Sequence, residues 1–321
     1  MVLLVCVAFS LLLPKHLFAD SPPENDLSLA IPLQFPLAVY TNPNTVHIPF
    51  KMVGRLIAVE AQVDTISGTF IFDTGAERLL LNKRYFDGYH GAANLTAMGN
   101  TGAIEVVKHQ WVDSLLWDNL VFGKVHANVL DLSHIEQRKK IRLIGIIGYD
   151  VFKDFEVLID FQLMQLVLSK VDKKGNRLDQ QAFTEIPYDS VDFKLHRHII
   201  ILRTEIDGIT LKFSLDSGAE LNLIDRRVKR RVLDHFEIVK RVKMLGTGRK
   251  SIEVLAGNLL HVKCGNQENE GMRTLLTNLS EMNEAFKTGL DGVMGYEFLA
   301  PRRTLINYKK KKLFFFRQVR P

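Results

Sequence analysis

Two stretches end an apolar run in aspartate and follow it with a hydroxyl residue and glycine: FIFDTGAE at 70–77 and FSLDSGAE at 213–220. In each, the apolar strand carries the carboxylate to a protected position. The glycine behind it lets the backbone turn and lets a second loop approach closely. If two such loops meet on a pseudo-two-fold axis, Asp73 and Asp216 face each other at short range. They cannot both ionise easily, so they share a proton. One can then act as base on a water while the other donates a proton to a carbonyl oxygen, which is general acid–base hydrolysis. A single Asp-Thr-Gly is ordinarily only a turn, because Asp and Gly favour turns. The duplication shifts the reading from turn to site.

The elements that would position these aspartates are also written twice. LIGIIGYDVFKDFEVLIDFQLMQLVL at 143–168 is matched by LDGVMGYEFLAPRRTLINYKKKKLFFF at 290–316. Gly99 and Gly246, Gly148 and Gly295, and Asp160 and Asn307 are each 147 residues apart, while Asp73 and Asp216 are 143 apart. Short runs rich in β-branched and aromatic residues predict an all-β fold. Asp207-Gly208 between two apolar runs predicts a hairpin. Short helices are expected after Gly148 and Gly295 and over NLSEMNEAF, and residues 225–242 form a charged stretch compatible with helix.

The chain has 321 residues, 46% hydrophobic and 24% charged, with net charge +6. That length and composition suit two globular domains. The basic runs Arg138-Lys139-Lys140, 226–231 and 309–312 read as solvated faces, and without interleaved aromatics no nucleic-acid partner is expected. MVLLVCVAFSLLL is too short for a standard membrane span. With Ala19 and a polar, Pro-rich sequel it reads as a signal peptide over 1–19, which would be a membrane anchor if uncleaved. Export to a periplasm or medium follows, and the mature chain would keep only Cys264, so no internal disulfide is expected. No His-Glu-x-x-His or Gly-x-Ser-x-Gly pattern occurs, and neither metal nor cofactor is expected.

With both motifs in place, the sequence resembles the retropepsin-like and pepsin-like aspartic peptidases, in a tandem bacterial-type form. Asp73-Thr74-Gly75-Ala76 is similar to the retroviral signature, and Asp216-Ser217-Gly218-Ala219 to its Ser variant. GIIGYDVF and GVMGYEFL resemble the family's hydrophobic-hydrophobic-Gly element, and the segments that follow resemble its closing hairpin. The resemblance covers about residues 36–318. It implies two closed β-barrel lobes related by a pseudo-two-fold, with Asp73 and Asp216 as the catalytic dyad. Thr74 and Ser217 would form the inter-loop hydrogen-bond pair, and Gly75 and Gly218 would be the close-approach glycines. The family's flaps would fall at AMGNTG and MLGTGR, bringing Met98, Gly99, Asn100, Leu245, Gly246 and Thr247 to the substrate. Glu77 and Glu220 stand where retroviral enzymes have Asp or Asn; they either contact substrate or pair with an Arg at the lobe interface, and the second is preferred. Ala76 and Ala219 replace the Ser or Thr of pepsin-type enzymes. They remove a donor that favours the ionised carboxylate, so the dyad should work at mildly acidic to near-neutral pH.

The expected organisation is a leader at 20–35, a first lobe at 36–171, a polar linker at 172–184 and a second lobe at 185–321. The expected activity is aspartic-type endopeptidase hydrolysis of peptides or proteins. The alternative is a catalytically silent protein of the same fold that binds a peptide or partner in the inter-lobe cleft. Linker length permits lobe pairing within one chain or a swapped dimer, and local concentration favours the monomer.

Overall fold

The β-branched and aromatic runs form strands almost throughout, in three sheets. The computed structural model describes residues 3–4, 10–12, 39–42, 44–86, 94–99, 102–182, 185–245 and 251–318.

In the first lobe, Leu56–Val63 and Ile66–Phe72 form a hairpin. Leu143–Ile147 lies beside Ile66–Phe72 in parallel and beside Leu79–Asn82 antiparallel. Leu120–Leu130 and Gly102–Trp117 continue the sheet, and Leu115 and Leu116 return to pair with Val63 and Gln62. Six strands thus close into a barrel, which leaves no open edge among them. Its interior is filled from alternating inward positions. Phe72 lies 4.7 Å from Phe152 and 6.1 Å from Trp117, ring centre to ring centre. Each such fully buried side chain stabilises the fold by roughly 1.5–3 kcal/mol.

The second lobe repeats the path with Ile199–Ile206, Ile209–Leu215, Gly292–Met294, Asn222–Asp225, Met272–Thr277 and Ser251–Leu259. The counterpart of the long strand Gly102–Trp117 is interrupted here. Its continuation, Val262–Cys264, meets Ile199–Ile206 at one pair, Glu205 with Lys263. The expected hairpin turn at Asp207-Gly208 is present, with Ile206 paired to Ile209. Short helices follow both glycines, Tyr149–Phe152 and Tyr296–Leu299, and a third covers Ser280–Phe286.

The charged stretch 225–242 departs from expectation. Only Arg230–Leu233 is helical, and the strand Phe236–Leu245 takes the rest. It buries Phe236 and Val242, leaves Lys240, Arg241 and Lys243 in solvent, and pairs its backbone along Ser251–Leu259. A strand with one wet face tolerates that charge density.

The third sheet belongs to both halves of the chain. Its order is Asp189–Asp192, Lys312–Phe316, Arg303–Asn307, Phe155–Asp160, Gln165–Lys170, Thr45–Pro49 and Val39–Asn42. At its centre Leu158 pairs with Leu305, its own duplicate 147 residues on. The pseudo-two-fold axis therefore passes through that pair. The two downstream hairpins do not seal separate lobes; they lie side by side and join them.

Near the N-terminus, Leu3–Leu4 runs parallel to Ala97–Met98 and Ser10–Leu12 antiparallel to Lys243–Leu245. No helix among the described residues is long and apolar enough to cross a membrane.

Candidate active site

Asp73 follows the parallel pairing of Phe72 with Ile147, and its N–H donates to the Ile147 carbonyl at 3.0 Å. Asp216 follows Leu215, paired with Met294, and its N–H donates to the Met294 carbonyl at 2.9 Å. Each aspartate is thus pinned where an apolar strand leaves its sheet. The next turn is held by the glycine element. The N–H groups of Tyr149 and Tyr296 donate to the carbonyls of Ala76 and Ala219, both at 2.9 Å. A side chain at Gly148 would strike the backbone of Ala76 and Arg78, and one at Gly295 the backbone of Ala219.

The two loops meet. The Thr74 N–H donates to Ser217 Oγ at 3.0 Å, and the Ser217 N–H donates to Thr74 Oγ1 at 2.9 Å. Each hydroxyl then donates onward across the axis, Ser217 Oγ to the Phe72 carbonyl at 3.0 Å and Thr74 Oγ1 to the Leu215 carbonyl at 3.5 Å. Four backbone groups in a dry interface are satisfied by two small side chains, so Thr and Ser are required for reach as well as polarity.

Inside this frame the carboxylates lie across the opposite glycine. A Cβ on Gly75 would sit 2.6 Å from Asp216 Cγ, and one on Gly218 would sit 2.5 Å from Asp73 Cγ. Asp73 and Asp216 are 0% and 2% exposed. Asp73 Oδ1 accepts the N–H groups of Gly75 at 2.8 Å and Ala76 at 3.2 Å, and Asp216 Oδ1 accepts that of Gly218 at 2.8 Å. Burial pushes the Asp73 carboxyl well above the usual carboxylate range. The charge of Asp216 and a hydrogen bond with it add to the rise, and the N–H groups of Gly75 and Ala76 oppose it. A pair placed so holds one proton across a pH range in which isolated carboxylates would both be ionised. Such a pair can give a proton and take one in the same step.

The lobe interface beside the site is charged. Lys139 Nζ contacts both Glu220 carboxylate oxygens, at 2.6 and 2.7 Å. The Arg55 N–H donates to Glu220 Oε2 at 3.3 Å, while its guanidinium reaches the Glu220 carbonyl at 3.4 Å and Glu297 at 2.9 Å. Glu220 therefore pairs across the lobes, but its ion pair is with Lys139 rather than with the Arg preferred from the sequence; Arg55 reaches the carboxylate only through its backbone N–H. Glu77 behaves differently. Its ion pair is with its neighbour Arg78 at 4.0 Å, and its carbonyl accepts the Asp150 N–H. The residue 143 positions after Arg55 is His198, 1% exposed and facing the Gly75 backbone.

Thr74, Gly75, Ala76, Ser217, Gly218 and Ala219 are thus all gathered at the loop contact. Met98 and Gly99 end the strand Asn94–Gly99, and Leu245 ends Phe236–Leu245; Asn100, Gly246 and Thr247 lie outside the described residues. The sequence reading missed Arg55, Lys139, Glu297 and His198. The offset of 143 residues, applied back from His198, points to Arg55; nothing local marks Lys139 or Glu297. Among the described residues, no group of three or more His, Cys, Asp or Glu could hold a metal ion.

Two lobes of this kind, joined by a shared sheet and meeting at paired Asp-Thr/Ser-Gly loops, define the two-lobed aspartic-proteinase fold. Among solved structures the chain is similar to the aspartic proteinase from Irpex lacteus, with a TM-score of 0.51 over 85% of this chain and 97% of that one, at 9% sequence identity. At that identity the likeness is one of fold. No family model matches the chain, and no curated protein matches it.

Proposed function

We propose that the chain is an aspartic endopeptidase of the tandem, retropepsin-like kind, exported after loss of residues 1–19, whose lobes at 36–171 and 185–321 pair within one monomer. The observation that carries this reading is the placement of each buried carboxylate against the glycine of the opposite loop. In the proposed reaction the ionised partner of the Asp73–Asp216 pair takes a proton from a water, which attacks the peptide carbonyl carbon. The protonated partner donates its proton to the carbonyl oxygen, giving a tetrahedral diol. Collapse of the diol transfers a proton to the amine and breaks the C–N bond. The raised Asp73 pKa keeps the pair singly protonated to higher pH than an ordinary carboxylate would allow.

The test is peptide cleavage from pH 3 to 8 by wild type, Asp73→Asn and Asp216→Asn, with and without a statine-type inhibitor. Wild type should cleave on a bell-shaped profile with its maximum above pH 4. Both variants should lose at least ~10³-fold, the scale on which removing an essential acid–base group acts. Absence of cleavage at every pH, or retention of activity in either variant, sinks the proposal. Activity still rising as pH falls to 3 refutes the pH assignment.

A further inference from the structure

Beyond the dyad, a cleft of about 840 Å³ opens at the junction of the lobes. Its lining includes Glu220 and Leu221, the fourth and fifth residues after Asp216. One wall, with Arg55 and Lys139, comes from the first lobe; the rest is the sheet of the second.

The strand register fixes which side chains share this space. Lys240 pairs with Ala256 and Arg273 with Asn258. Ala256 and Asn258 are two residues apart on one strand, so all four side chains stand on the same face. Leu275, opposite Ala256, provides an apolar base beneath them.

Charge on this face is unbalanced. Glu220 is saturated by Lys139 and Arg55, and Arg55 is completed by Glu297. Lys240 and Arg273 line the cleft, are exposed, and have no ion pair or side-chain hydrogen bond among the described residues. Arg138 lies close enough to Glu220 to feel its charge, and burial pulls its guanidinium pKa down. Glu237, opposite Asn258 on the same face, stands roughly 7 Å from Lys240 along their shared strand and about 10 Å from Arg273 across two strands, and it forms no ion pair with either among the described residues. Two cations without an ion pair thus stand on one face of the cleft, with the Asn258 amide on the strand between them and an apolar base, in a concave site whose walls focus the field.

We propose that this cleft is a specificity subsite that takes an Asp or Glu side chain of the substrate, outside the residues flanking the scissile bond, and holds it with Lys240 and Arg273. This rests on the peptidase reading and adds a substrate class to it. The carboxylate of an acidic residue replaces water around both cations, and the Asn258 amide supplies a further donor. Charged partners at such a rim set selectivity and encounter rate more than total affinity.

The experiment uses the full chain and a set of otherwise identical peptides carrying Glu, Gln or Lys at each position from the third to the fifth on either side of the cleavage point. Binding is measured to Asp73→Asn and cleavage by wild type, at 0.05 and 0.5 M salt. One position should favour Glu over Gln by roughly tenfold at low salt, and the gain should shrink at high salt. Lys240→Gln with Arg273→Gln should abolish the gain, so that Glu and Gln peptides bind and are cleaved alike. Lys240→Glu with Arg273→Glu should turn the preference to Lys. Both side chains are exposed, so an unchanged melting temperature verifies the fold of each variant. Equal binding of Glu and Gln peptides at every position overturns the subsite even if wild type cleaves them all. Tighter binding of a Glu peptide, lost in the double variant, upholds it even if wild type cleaves none, in which case only the peptidase reading falls.

Discussion

His198 occupies the place that Arg55 holds in the first lobe, and the exchange puts an imidazole where a guanidinium would reach across. It is buried, and burial lowers its pKa to about 4; the Gly75 carbonyl and the charge of Asp150 oppose the shift, while Arg197 and His196 add to it. The unfolded chain takes up this proton near the ordinary value of 6.5 and the folded chain only near 4. Between those values the unfolded state binds more protons, so stability is full above pH 6.5 and is lost as pH falls to about 4, by roughly 3 kcal/mol. Asp73 acts in the opposite direction, because its folded pKa is raised: its contribution is present at low pH and fades as pH rises through that value. Urea titrations from pH 7 to 4 should therefore show a shallower acid loss in His198→Leu than in wild type. An identical slope in the two proteins means that His198 titrates normally.

At the scale of elements, the device that recurs is a strand, an aspartate loop and a glycine passing behind it. The strand Leu143–Ile147 inserts between the two strands that flank the Asp73 loop, and Gly292–Met294 does the same in the second lobe. Gly148 is the residue at which the chain clears the back of that loop. An alanine Cβ there would lie 2.7 Å from the Ala76 carbonyl oxygen and 2.9 Å from the Arg78 nitrogen, both backbone atoms that cannot swing aside. Gly148→Ala should lower stability by about 1–3 kcal/mol, as overpacking does, and should depress cleavage further because the displaced segment carries Asp73. Chemical denaturation and kcat/KM measured on the same preparation check both effects. A wild-type midpoint with wild-type cleavage would falsify the role given to this glycine.

For the whole molecule, the shared sheet settles how the halves combine. Arg303 Nε lies 2.7 Å from Asp160 Oδ2, and its Nη1 also reaches Glu185. Across the axis, the duplicates of these positions, Glu156 and Asn307, bond to each other. One symmetry-related pair is a buried salt bridge and the other an amide–carboxylate bond, so the duplication kept the contact and changed its chemistry. Asp160 is wholly buried and Arg303 nearly so. Arg303→Met should cost about 3–5 kcal/mol by stranding the Asp160 charge. Adding Asp160→Asn should recover part of that loss, since the stranded charge is then gone. Denaturant midpoints of the single and double variants test this; a double variant no more stable than Arg303→Met alone contradicts it.

Local sequence determined the strands, the short helices after Gly148 and Gly295, the Asp207-Gly208 hairpin, and the aspartates with the residues that frame them. Those features depend on backbone preference and on alternation along a few residues, which composition and spacing record directly. The sequence misled at 225–242, where the charge density suggests a solvated helix and pairing with Ser251–Leu259 makes a strand. Tertiary structure alone decided the rest. Leu158 meeting Leu305, Lys139 meeting Glu220, and Lys240 sharing a face with Arg273 across the strand Ser251–Leu259 are relations between residues far apart in the chain or on separate strands. Such contacts depend on how two curved sheets are rotated against each other about an axis that no short stretch of sequence encodes. The chain thus spells out each half of the paired site locally, and the packing of the lobes decides that the halves face one another.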